Sequence, residues 1–166
     1  MYLNIEGGTK KQRDLVESMA IFCAYKLMRE KLADAIELDI ELNPKLYKED
    51  GNIGDIIWED SNHRPKQFSM RLDNTVKMRR ILETVAHEMV HLSQFATGRW
   101  VEMYKTKRTK WQGKILKKVP EYWDRPWEIE AHGREVGLFL QWVDAMGFGN
   151  ESWTWDDLDK YKQAYE

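Results

Sequence analysis

Three residues within five positions carry the chemistry open to this chain: His87, Glu88 and His91, in the stretch TVAHEMVHLSQFATG at positions 84–98. Side chains four apart on a helix share one face, with Cβ atoms about 5–6 Å apart. Two imidazoles so placed can hold one metal ion, with nitrogens about 2.0–2.1 Å from zinc. Glu88 is turned about 100° from His87 on a helix of 3.6 residues per turn, so it does not compete as a ligand. It is free to hydrogen-bond a water on the metal and take its proton. This is the HExxH division of labour, two ligands and one general base. The motif needs a helical setting. Met89 and Val90, the two positions between Glu88 and His91, are apolar, which predicts a buried helix with the histidines at its functional edge.

A catalytic zinc needs a third protein ligand and an open position for water. The stretch YWDRPWEIEAHGRE, at positions 122–135, offers candidates. Glu128, Ala131, His132 and Glu135 fall along one side of the helix expected there, and Glu130 and Arg134 fall on another. Glu128, His132 and Glu130 are the candidates for that ligand. The oxyanion formed during acyl transfer also needs a hydrogen-bond donor. Tyr122 and Tyr104 are candidates, although packing is the plainer role for either tyrosine.

HEMVH followed by PWEIEAHGRE resembles the gluzincin branch of the zincin metallopeptidases, above all the small single-domain forms of bacteria and phages. In that group a later helix carries Glu-x-x-Ala followed by Asp or Asn. The resemblance implies that Glu128 is the third ligand, that Ala131 permits close helix packing, and that residue 132 supports a ligand histidine. His132 stands where the Asp or Asn is usual, and a three-histidine site would instead be similar to the SprT-like metallopeptidases, which act on proteins crosslinked to DNA. The resemblance is specific over residues 84–98 and 122–135. It implies an α+β zincin-like minimal metallopeptidase domain, a bound Zn2+, a protein or peptide substrate, and an extended peptide added to an edge strand. KQFSMRLD, directly before the active helix, is the expected edge.

The elements that must position these residues can be read from period and punctuation. A first helix is expected over TKKQRDLVESMAIFCAYKLMREKL, with Thr9 and Gln12 forming a capping box and Cys23 a small core residue. IELDIELN alternates Ile36, Leu38, Ile40 and Leu42 with acidic residues, as a half-buried strand does. GNIGDIIWED and KQFSMRLD read as two more strands around the turn SNHRP, where His63 is a surface residue. The expected sheet is small and mostly antiparallel. The HExxH helix spans about 75–97, capped by Asn74 or Thr75 and stopped by Gly98. Pro126 opens a helix that runs to Gly147, and a short acidic helix with Thr154 as its cap closes the chain.

One domain over 1–166 follows from the length. It divides into helix and sheet to 73, the HExxH helix at 74–98, a basic loop at 99–125, and the third-ligand and terminal helices from 126. Residues 105–118, KTKRTKWQGKILKK, hold seven cations and no acidic residue, so they are a candidate contact for nucleic acid, with Trp111 as a stacking ring. A solvated loop and a gating lid are the rival readings. A net charge of −2 brings no global attraction to nucleic acid or membrane. One cysteine, no secretory pattern in MYLNIEGGTKKQ and no membrane-length apolar run predict a soluble cytoplasmic protein (the host cytoplasm if a phage encodes it). Eight tryptophans are many for 166 residues, and serve either to fill a small core or to wall a cleft.

Overall fold

A computed structural model describes residues 1–60 and 63–156. The terminal helix expected beyond position 156 lies outside the described residues. Thr154 closes a short 3-10 turn, Ser152–Trp155, rather than capping a helix. No helix among the described residues is long and apolar enough to cross a membrane.

The chain opens with a strand in which Leu3 and Ile5 alternate with Tyr2, Asn4 and Glu6: β1, Tyr2–Gly7. Helix α1, Lys10–Leu27, follows through the expected capping box, in which the Thr9 hydroxyl accepts from the Gln12 amide and the Gln12 side chain accepts from the Thr9 amide. A short α2, Glu30–Asp34, leads to β2, Glu37–Leu42, and α3, Leu46–Asp50, leads to β3, Gly54–Trp58, and β4, Gln67–Leu72. The strands form one sheet in the order β1-β2-β4-β3.

The sheet is not mostly antiparallel. β1 and β2 run parallel, as do β2 and β4, and only β3 opposes its neighbour. For β1 and β2 the reason is the connection: α1 and α2 lie between them and carry the chain back to the end where β1 began, so β2 runs the same way. KQFSMRLD is not the edge either. β4 sits between β2 and β3, and the edge strands are β1 and β3.

Period-two alternation sorts the faces. Leu38, Ile40 and Leu42 of β2 and Phe68, Met70 and Leu72 of β4 are buried, while Glu37, Asp39 and Glu41 face solvent. The buried face carries α1 and α4, Met78–Ala96, and α4 packs in turn on α5, Pro126–Met146. α4 is buried on nearly every side, with polar residues such as Glu83, Ser93 and Gln94 buried beside its apolar ones. Its N-cap is Lys77, without a side-chain cap bond. Asn74 and Thr75 do not cap it, because Asp73 takes the Thr75 amide and hydroxyl for its own turn. Gly98 ends α4 at φ 72°, and Pro126 and Gly147 bound α5 as expected. Gly54 lets β3 close onto α4: a Cβ there would lie 2.5 Å from the Thr84 methyl.

The basic segment is not a loop but a three-stranded antiparallel meander: β5, Trp100–Met103, β6, Arg108–Trp111, and β7, Lys114–Ile115. Gln112 and Gly113, both at positive φ, make the tight turn between β6 and β7. Cys23 is fully buried and unpaired, and burial pushes its thiol far up, so it is a core residue. Trp127 and Trp142 fill the core, whereas Trp58 lines a cleft, so the tryptophans serve both roles.

Candidate metal centre

The central helix places His87 and His91 on consecutive turns, and α5 brings Glu128 to them from its first turn. Nε2 of His87 and Nε2 of His91 lie 3.0 Å apart. Oε2 of Glu128 lies 3.6 Å from the first and 3.4 Å from the second. Ligand atoms about 2.0–2.1 Å from a tetrahedral zinc are about 3.3–3.4 Å from one another, so the three atoms are spaced as ligands of one ion. All three side chains are buried.

The outer partners determine what these atoms present to one another. Nε2 of Gln94 donates to the Trp127 carbonyl and to Glu130, both of which only accept. Oε1 of Gln94 therefore accepts from Nδ1–H of His91, at 2.8 Å. Nδ1–H of His87 likewise donates to Oε2 of Glu135, at 2.8 Å. With both Nδ1 atoms carrying the proton, both Nε2 atoms turn lone pairs toward each other and toward a carboxylate. Oε2 of Glu128 is buried and accepts no hydrogen bond. Three converging acceptor atoms in a buried place repel unless positive charge lies among them, and a metal ion, or in its absence a proton on His87, supplies it. The pKa directions agree. Burial opposes a charged His87, yet Glu128 and Glu135 hold it up at about 9. Burial would raise Glu128, but His87 and His91 keep it well below the usual carboxylate range.

Glu88 is buried on the same helix. Burial raises its pKa, while the charges of His91 and His87 act in the opposite direction, so it is electrostatically coupled to both imidazoles. Tyr122, in the turn Tyr122–Asp124, is 41% exposed and lies 3.3 Å from Nε2 of His132. Burial and the Glu128 charge push its phenol up, so it keeps its proton. Tyr104 is elsewhere, exposed beside Trp58 on β3.

Of the alternatives for the third ligand, Glu130 is drawn away from the imidazole pair, while His132 lies against His87 alone. Glu130 is held by Arg99 at 2.7 Å, Gln94 at 3.1 Å and Arg134 at 3.3 Å. His132 turns Nδ1 to Glu135 at 3.4 Å and packs its ring on His87 and Trp123. His87, His132 and Glu135 also form a cluster able to hold a cation, but Glu135 is already bonded to Nδ1 of His87 within it. The support that the resemblance assigned to position 132 comes from Glu135. Gln94 was not singled out in the sequence, and Glu135 was named only as sharing a helix side with Glu128. Their signal was helical spacing: Gln94 lies three residues beyond His91, and Glu135 lies seven beyond Glu128. Removing an outer partner of a ligand histidine lowers metal affinity about 10–100-fold. Glu135→Gln and Gln94→Leu should each do so in a competition titration, and unchanged affinity in both would mean that the imidazoles orient themselves.

An aromatic wall closes one side. Trp100 meets His91 edge-on at 5.4 Å and stacks on Trp127 at 4.7 Å and on Phe95 at 4.3 Å. Trp111 joins this wall against Trp127, with Arg99 over its ring, so its indole is committed to packing.

No family model, no curated protein and no solved structure matches this chain.

Proposed function

We propose that this chain is a zinc-dependent metallopeptidase of the zincin type that hydrolyses peptide bonds in a protein substrate. His87, His91 and Glu128 hold the ion, and Glu88 is the general base. The observation that carries this reading is the buried, partnerless Oε2 of Glu128 facing two imidazole nitrogens whose far sides are already tied. Zinc bound there supplies a Lewis acid and lowers the pKa of its water toward about 7.

The remaining steps belong to the chain's own groups. Glu88 takes the proton of the attacking water and delivers it to the leaving amine, and the burial that raises its pKa strengthens it as a base. Tyr122 keeps its phenolic proton and offers it to the developing oxyanion. The edge strand β3 receives the substrate backbone. The Glu59 amide donates to the Gln67 carbonyl, so the antiparallel ladder turns the N–H and C=O of Ile56 and Trp58 outward. An extended peptide can add there as a further strand. A reducing cytoplasm suits the single buried Cys23.

Protein loaded with zinc should cleave a denatured protein substrate, stop when chelated and resume on resupply. If loaded protein leaves that substrate intact, the centre is a silent metal-binding scaffold for assembly instead.

A second reading, contact with nucleic acid through residues 105–118, has one observation in its favour: none of the seven cations there forms an ion pair with a described residue. It requires binding of single-stranded DNA that weakens steeply with salt and falls when Lys107, Arg108 and Lys110 are neutralised. Absence of binding at low salt removes it.

A further inference from the structure

A cleft that the metal triad does not line opens beside β3. It holds about 840 Å³ between the C-terminal end of β3 and the β5–β6 hairpin, and Trp58, Val101, Met103 and Tyr104 are its apolar walls. Its charged lining is balanced, with Lys105 and Lys110 against Glu59 and Asp60. Asp60 accepts from the Lys66 and Gln67 amides, and Glu59 accepts from the Ser69 hydroxyl. No net charge therefore selects what enters. Size and apolarity do.

The position of the cleft along β3 gives it a role. Its Trp58 wall packs on Phe95 at 4.5 Å, and Phe95 follows His91 by one helical turn. One turn advances about 6 Å, while an extended chain advances about 3.3 Å per residue. The cleft is thus about two residues of extended chain beyond the metal ligands, at the end of β3, one of the two edge strands of the sheet and the one that packs on α4. Successive side chains of an added strand alternate between its two faces, so every second one can be presented to the cleft.

We propose that the cleft between β3 and the β5–β6 hairpin is a specificity site that receives a bulky aromatic or aliphatic side chain of an extended polypeptide, about two residues from the bond to be cut. This rests on the peptidase reading and adds its selectivity. Glu59 and Asp60 are tied to the strand that follows and leave the apolar walls to make the contact. Burial of one such side chain against Trp58, Val101, Met103 and Tyr104 favours Phe over Ala about tenfold or more.

The test uses full-length zinc-loaded protein carrying Glu88→Gln and labelled extended peptides that differ by one Phe or Ala, scanned along the sequence. The expected result is at least tenfold tighter binding for Phe at one register. Met103→Trp, which fills the cleft from a half-buried position, should abolish that difference while leaving the metal content and melting temperature unchanged. Tyr104→Ala, at an exposed position, should reduce it several-fold. Equal affinity for Phe and Ala peptides at every register overturns the proposal, as does a Phe preference that Met103→Trp leaves intact, or no peptide binding at all. Cleavage by the parent protein is scored separately. Cleavage without a Phe preference sinks the specificity site alone, and a Phe preference in binding without cleavage sinks the peptidase reading alone.

Discussion

If the chain is the peptidase proposed, Glu88→Gln should keep one metal ion per chain and lose peptide hydrolysis by about 100- to 10,000-fold, the range that a positioned general base contributes. The amide has nearly the shape of the carboxylate but cannot accept a proton, so binding is spared and the proton-transfer step fails. The fold should not suffer. Burial already disfavours the Glu88 charge, and a neutral amide in its place removes that cost, so the melting temperature holds or rises. Metal content by elemental analysis, together with turnover of a denatured protein, decides the matter. A variant that cleaves at the parental rate means another group is the base. One that loses both metal and turnover means that Glu88 is a ligand.

Glu128→Ala is the second large effect, and it falls on metal and stability together. Its Oε2 closes the triangle with the two imidazoles, so its loss should weaken zinc binding beyond the 10–100-fold typical of an outer partner. Metal that binds only the folded state stabilises it by about 2.7 kcal/mol at 100 times the dissociation constant. For a chain of this size that is roughly 5–10 °C of melting temperature, which the variant forfeits. Glu130→Ala and His132→Ala are the controls and should keep the metal, since neither side chain reaches the pair of Nε2 atoms. Full metal in Glu128→Ala, with loss in His132→Ala, would move the centre to the neighbouring cluster of His87, His132 and Glu135. Because His87 holds a proton up to about 9 in competition with the ion, affinity should rise with pH toward that value.

Local rules made several features legible before any coordinates. The i, i+4 histidines had to share a helical face, and the helix had to be buried because apolar residues surround them. Thr9 with Gln12, Pro126, Gly98 and Gly147 marked helix ends by capping chemistry, which acts over three or four residues and can be read from neighbours alone. The alternation of Leu38, Ile40 and Leu42 with Glu37, Asp39 and Glu41 needed only the pleat.

What depends on distant partners could not be read that way. Strand order and direction depend on where the connections run, so β1 went unrecognised, the sheet proved largely parallel, and the edge passed from β4 to β3. The basic stretch folded into a meander because Thr109 and Trp111 found a core to bury against, which no count of lysines reveals. Position 128 was legible as a ligand candidate, but its separation from Glu130 and His132 was not. Arg99 and Gln94 draw Glu130 aside, and Glu135 and Tyr122 hold His132. Helical spacing says which residues share a face. Only the packing of α5 on α4 decides which of them points its oxygen at the two imidazoles, and Glu130 is drawn aside by partners more than thirty positions away.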